Sequence, residues 1–206
     1  MKALVFSVIL NLCTVYALAQ SGTENAIDEI SKASQTVNTL QCDFVQTKKL
    51  KMLNDAMVSK GKMWCSQPDR LRWEYLEPYS SAFILNKGKL LLKKGKRSNV
   101  ISVNRSKMLK EMTRIMIPPA LGKCLMDKKD FFVSVETKDN IHILELLPLS
   151  KELKQMYTKI ILYYDRRQSI VTKVEMREKN GDNTTIELTS IKKNMAINES
   201  VYALKE

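Results

Sequence analysis

One histidine, His142, stands in a chain of 206 residues. No Ser-His-Asp or Cys-His arrangement can be assembled without it. Its place between Ile141 and Ile143, in an expected strand, fits a surface or cross-strand side chain. Cysteine is also sparse: Cys13, Cys42, Cys65 and Cys124 have no histidine nearby and lack zinc-site spacing. The six glycines make neither GxxxxGKS/T nor GxGxxG, and there is no EF-hand loop. Asp127, Asp130, Asp139 and Asp182 fall on separate expected turns, and nothing points to a catalytic carboxylate pair. The chain therefore reads as no enzyme, with neither metal nor cofactor. Aromatic residues are only 7% of the chain, which counts against a stacking surface for single-stranded nucleic acid. Internal repeats, low-complexity tracts and Pro/Gly/Ser linkers are absent as well.

Long apolar runs are missing except at the start. Lys2 is followed by the almost wholly apolar stretch Ala3 to Leu12, then by Ala17-Leu18-Ala19. This is the pattern of a secretory signal peptide cleaved after Ala19, and it is too short to be a spanning helix. Cys13 after Leu12 raises a lipoprotein signal as the competing reading, although lipobox cysteines usually follow a small residue. Removal of residues 1–19 leaves 187, a single domain over 20–206. Its destination would be the periplasm, where nucleic acid is not an expected partner.

What is abundant is positive charge, +12 for the whole chain and +11 after loss of Lys2. Basic residues spread from Lys32 to Lys205 and are densest from Lys87 to Arg97, interleaved with Leu90, Leu91 and Leu92. Two readings stand for that run: a solvated strand with lysines at a sheet edge, or a patch that docks on a membrane or partner. The cysteines also leave two readings. Cys42 and Cys65 flank a hairpin expected to turn near Asn54-Asp55, with indices summing to 107 where opposed residues would sum to 109. They are either bridged across the strands or reduced and buried.

Ile27, Ile30, Val37 and Leu40 recur at helical spacing and predict an amphipathic helix over 24–38, capped by Thr23. The period then changes to two. Strands are expected at 40–47, 61–65, 70–75, 82–86, 89–93 and 98–103, and again at 131–137, 141–147, 158–164, 169–178 and 184–190. Arg70-Leu-Arg-Trp-Glu-Tyr75 alternates most strictly. Short links make the sheet antiparallel, and a sheet of eleven strands must curl. Between the two strand groups, Met108, Leu109, Met112, Ile115 and Met116 mark one face of a helix that Pro118-Pro119 ends, and a second turn follows to Met126. This Met stripe is either ordinary core or a pliable lid over an apolar cavity. The fold class is mainly β with α: an incomplete, unclosed antiparallel β-barrel of about eleven strands, with an N-terminal helix and a helical lid.

Phe44-x-Gln46, Gly61-x-x-Trp64 and Pro68-x-x-Leu71-Arg72-Trp73-Glu74-Tyr75-x-x-Pro78 resemble the signature of the outer-membrane lipoprotein carrier family, LolA. Leu147-Pro148, Ile160 to Asp165, Val171 to Met176, Gly181 and Ile197-x-x-Ser200-Val-Tyr202 are similar to its final strands. The likeness covers nearly all of 20–206. It implies a periplasmic chaperone that takes acylated lipoproteins from an inner-membrane ABC-type release complex, shields their acyl chains and passes them to an outer-membrane acceptor. The signature also occurs in lipid-sensing regulators of the RseB type and in lipid-binding proteins of the same fold, which are the alternative readings. Strand alternation and the likeness together give a cavity lined by Phe44, Trp64, Leu71, Trp73, Ile84, Met108, Met112, Ile115, Met116, Phe131, Val133, Leu144 and Leu146. Many members of the family carry an arginine at the position of Gln67, where it takes part in lid closure. Gln67, Arg70 and Arg72 are therefore the residues expected to control the lid. A monomer is expected.

Overall fold

The computed structural model describes residues 22–53, 55–107, 109, 110, 113 and 129–204. The signal segment, Met108, Met112, Ile115, Met116, Pro118-Pro119, Cys124 and Met126 lie outside the described residues. Helix α1 (22–35) starts slightly earlier than expected, so Thr23 sits inside it. Eleven strands follow: β1 (Thr39–Lys49), β2 (Ala56–Ser66), β3 (Arg70–Glu77), β4 (Ser81–Asn86), β5 (Lys89–Lys94), β6 (Arg97–Ser102), β7 (Phe131–Lys138), β8 (Ile141–Pro148), β9 (Tyr157–Asp165), β10 (Ile170–Glu178) and β11 (Asn183–Lys193).

They form one antiparallel sheet in the order β6-β5-β4-β3-β2-β1-β11-β10-β9-β8-β7. The first six strands make one meander and the last five another. The pairing of β1 with β11 joins them, so the sheet is continuous but unclosed, as expected. Residues 107, 109, 110 and 113 are helical, in agreement with the helix expected there, and the Thr113 hydroxyl donates to the Leu109 carbonyl. Among the described residues, no helix is long and apolar enough to cross a membrane.

Alternation assigns every strand an inner and an outer face, the inner being the one that α1 packs against. On the β1–β6 side, Val37 at the end of α1 and Leu109 cover Leu40, Phe44, Met63, Leu71, Trp73, Leu85 and Leu90. On the β7–β10 side, Ile30 of α1 covers Phe131, Leu144, Leu146, Ile160, Leu162 and Val174. Ile186 of β11 touches both clusters and makes the apolar layer continuous. A short helix that alternation did not reveal, α2 (Lys151–Met156), buries Leu153 in the second cluster. Six residues are too few for a helical period to register in a sequence window.

The β1–β2 register pairs Cys42 with Met63 and Cys65 with Leu40. Cys42 and Cys65 are therefore not opposed, and both are buried thiols outside any disulfide. Burial, helped by the neighbouring Asp43 carboxylate, pushes the Cys42 thiol up to about 12.

Candidate functional site: an apolar inner face

An aromatic floor lies at the centre of the β1–β3 inner face. The Phe44 ring stacks on Trp73 with centroids 4.2 Å apart, and Tyr75 meets Phe44 edge-on at 5.3 Å. This cluster is possible because β2 carries Gly61 directly opposite Phe44. A Cβ at Gly61 would overlap the Glu74 carbonyl oxygen and stand 2.5 Å and 2.7 Å from two Phe44 ring carbons. The ring lies in the space the absent side chain leaves free.

Polar groups on this face are few. The Tyr75 hydroxyl donates to Gln46 Oε1 at 2.9 Å, and burial pushes its ionisation upward, so it stays neutral. Trp73 is 7% exposed, and its indole Nε1 is buried with no hydrogen-bond partner. An unmatched N–H in an apolar layer costs roughly 1–3 kcal/mol and favours any ligand that brings an acceptor. His142, also on the inner face, is tied down. Its Nδ1 lies 2.8 Å from Thr137 Oγ1 and its Nε2 lies 3.3 Å from Glu29 of α1. Arg166 completes the latch with two hydrogen bonds to the same carboxylate, which hold Glu29 below the usual carboxylate range against a smaller opposing effect of burial. The histidine thus clamps α1 to the sheet.

At one end of the sheet a groove of about 880 Å³ opens onto this face, lined by inner-face Tyr75, Phe83 and Leu92 and by the β5–β6 turn. Its volume falls in the range of small-molecule pockets. Among the described residues, no group of three or more His, Cys, Asp or Glu is placed to hold a metal ion. What the surface can do is bury hydrocarbon, at roughly 0.8 kcal/mol per CH₂ removed from water.

Seven expected lining residues are on the inner face: Phe44, Leu71, Trp73, Phe131, Val133, Leu144 and Leu146. Two are not. Trp64 and Ile84 both pair with Arg72, so they share its outer face. The Arg72 guanidinium lies 5.9 Å over the Trp64 ring. Ile84 packs with Ala82, Leu91 and Leu204 beneath the C-terminal segment. Their inner-face counterparts are Met63, Phe83 and Leu85. The opposed pairs Met63–Trp73 and Trp73–Phe83 identify them, but only once the strand register is known.

The three residues expected to control the lid also lie elsewhere. Arg70 and Arg72 point outward. Arg70 pairs with Glu199 and lies 5.4 Å over Tyr202, while Arg72 is held by Glu74 and the Val201 carbonyl. Gln67 Nε2 donates to the Val37 carbonyl at 2.7 Å and the Ser34 carbonyl at 3.3 Å. It therefore satisfies backbone acceptors at the end of α1.

Residues 35–205 match the family described as outer membrane lipoprotein carrier protein LolA. The chain belongs to this family. Membership supports a lipid- or lipoprotein-binding protein of the periplasm, in a family of carrier and binding proteins. Among curated proteins none matches significantly. Several solved structures share the fold at low identity. A DUF1329 family protein from Desulfovibrio piger has a TM-score of 0.50 at 11% identity, over 88% of this chain and 97% of that one. An uncharacterised conserved protein from Thermus thermophilus has a TM-score of 0.53 at 8% identity, over 88% and 92%. The Pseudomonas aeruginosa MucA/MucB complex contains a chain with a TM-score of 0.50 at 13% identity, over 88% of this chain and 60% of that one. LolA membership rests on the sequence match, and these likenesses extend the half-barrel fold alone.

Proposed function

We propose that the chain is an exported periplasmic carrier, released from its signal peptide after Ala19, that shields lipoprotein acyl chains against its inner face. The observation that carries this reading is the continuous apolar layer from β6 to β7, with an unpartnered Trp73 N–H within it and a groove leading to it. Acyl chains fill the first need, and an acyl carbonyl beside Trp73 fills the second. In this reading the donor is an inner-membrane ABC-type release complex and the recipient an outer-membrane acceptor. Met108, Met112, Ile115 and Met116, spaced in the sequence as one helix face and outside the described residues, are assigned in this reading to a pliable lid. Native mass spectrometry of protein isolated from the periplasm tests the cargo. Bound intact lipoprotein is expected, and free phospholipid alone would replace the carrier with a lipid-binding protein. Depletion should mislocalise outer-membrane lipoproteins, and normal localisation would sink the proposal. The shared fold of the MucA/MucB complex keeps one alternative in play, a regulator that binds a membrane protein's periplasmic segment. Such a regulator would co-purify with a protein segment and leave lipoprotein sorting intact.

A further inference from the structure

The β1–β2 hairpin overshoots β3. The last residue of β3, Glu77, pairs with Lys60, so four residues of β2 run past β3. At about 3.3 Å per residue this is a projection of roughly 13 Å. On the other side β11 pairs with β1 to its last residue, Lys49 opposite Asn183, and the Lys51 N–H donates to the Asp182 carboxylate of the β10–β11 turn at 3.0 Å, so the overhang is on the β3 side. The projecting part is apolar and bare. Met52 is 94% exposed, Met57 58%, Leu53 57% and Val58 49%. Single exposed apolar residues are ordinary, but four on one protruding tip are not.

The same end of the sheet is basic. Lys49 and Lys51 flank the tip, and the register through β3 and β4 brings Lys93, Lys94, Lys96 and Arg97 of the β5–β6 hairpin to this rim. These six are in no ion pair among the described residues. Their acidic neighbours on the rim are Asp55, Glu77, Glu178 and Asp182, of which Glu77 is engaged by Lys60 and the last two by Lys48. Tyr79, 81% exposed, lies on the β3–β4 loop between tip and turn.

We infer that this rim docks on an anionic phospholipid surface, with Met52, Leu53, Met57 and Val58 entering the headgroup boundary and the lysines meeting lipid phosphates. The shape argues for a bilayer over a protein, because a protein interface presents its apolar residues as a packed patch with a polar rim. Here they form a narrow tip ringed by lysines, the arrangement of interfacial anchors. The docked rim also carries the mouth of the groove that opens on the inner face. The inference does not depend on which cargo that face holds.

Vesicle flotation with the purified chain tests it, comparing mixed phosphatidylglycerol–phosphatidylcholine vesicles with pure phosphatidylcholine. Flotation with the anionic vesicles only, weakened by salt, is expected. Met52→Asp with Leu53→Asp should weaken it at least about tenfold. Glutamine at Lys93, Lys94, Lys96 and Arg97 should weaken it about fivefold per residue replaced. All six positions are exposed, so circular dichroism should match the unaltered chain, and lipid carried on the inner face should be unchanged in the Met52→Asp, Leu53→Asp variant, whose positions lie outside the groove. Absence of flotation, equal flotation with neutral vesicles, or flotation indifferent to the tip would each overturn the inference. Tip-dependent dimerisation without vesicle binding would assign the tip to a second copy instead.

Discussion

Gly61→Ala isolates the steric condition for the aromatic floor. The added methyl has nowhere to go. One side is closed by the Glu74 carbonyl, which is backbone of β3, and the other by the Phe44 ring at 2.5–2.7 Å. Phe44 cannot swing aside, because it is 1% exposed and stacked on Trp73. The β2–β3 register already shifts between Lys60 and Gly61, so β2 can yield only by breaking pairs that flank the irregularity. Overpacking a tight site costs about 1–3 kcal/mol, and a clash against backbone belongs at the upper end, about 3 kcal/mol. For a domain of this size that is a fall in Tm of roughly 6–12 °C. Urea denaturation followed by circular dichroism gives the free energy. Fluorescence in a Trp64→Phe background leaves Trp73 as the one tryptophan and reports the floor directly. Adding Phe44→Leu should recover part of the loss, since it clears the ring contact but not the carbonyl, and the pair should be clearly non-additive. A loss below about 1 kcal/mol with Trp73 emission unchanged would refute the reasoning, because the methyl would then have found room.

Tyr202→Ala should destabilise by about 3–5 kcal/mol in the same denaturation assay, because a fully buried ring is deleted from beneath Arg70. Tyr202→Phe should cost about 0.5–1.5 kcal/mol, through loss of the 2.8 Å bond with Ser66. Glu29 ionises below its ordinary value in the folded chain because Arg166 and His142 bind the carboxylate. Its stabilising effect is therefore complete above the unfolded carboxylate pKa and lost as pH falls through the lower folded value. Glu29→Gln should lower stability at neutral pH and flatten the acid limb of a stability–pH curve, and an unchanged limb would remove the latch. Cys42, with its thiol pushed to about 12, should resist alkylation at pH 8 in the native chain and react in urea. Peptide mapping separates it from the other cysteines, and native labelling at Cys42 would contradict its burial.

All eleven strands were legible because each is a short run bounded by turn residues, alternating in some and continuously apolar in others, and the antiparallel order followed from links too short for crossovers. The meander-to-meander closure through β1 and β11 was not legible. It joins residues about 150 apart in sequence, and nothing local marks the pairing. The same gap explains the cysteines. A hairpin turn placed near Asn54-Asp55 put Cys42 and Cys65 almost opposite, but the true register offsets them by two residues on one face. α2 was missed because one buried residue, Leu153, is too little signal in six.

Which residues face inward was legible in part, and the misplaced ones share one cause. An apolar lining carries no motif, so its only sequence signal is which parity of each strand faces inward. Where one parity is polar, as in Arg70-Leu-Arg-Trp-Glu-Tyr75, the choice is clear. In β4, Ala82-Phe-Ile-Leu85 is apolar on both parities, and β2 offers both Met63 and Trp64. Those strands have two covered faces. The second cover is the C-terminal segment, where Tyr202 is fully buried and its carbonyl accepts from Asn86 while Leu204 lies on Ile84. Arg70 and Arg72 serve that cover, so their charge is spent on the outside of the half-barrel. The inner face thus keeps hydrocarbon, one unmatched indole N–H and a clamped helix. That division suits the proposed carrier: the strap on the outer face supplies stability that does not depend on whether the inner face is filled.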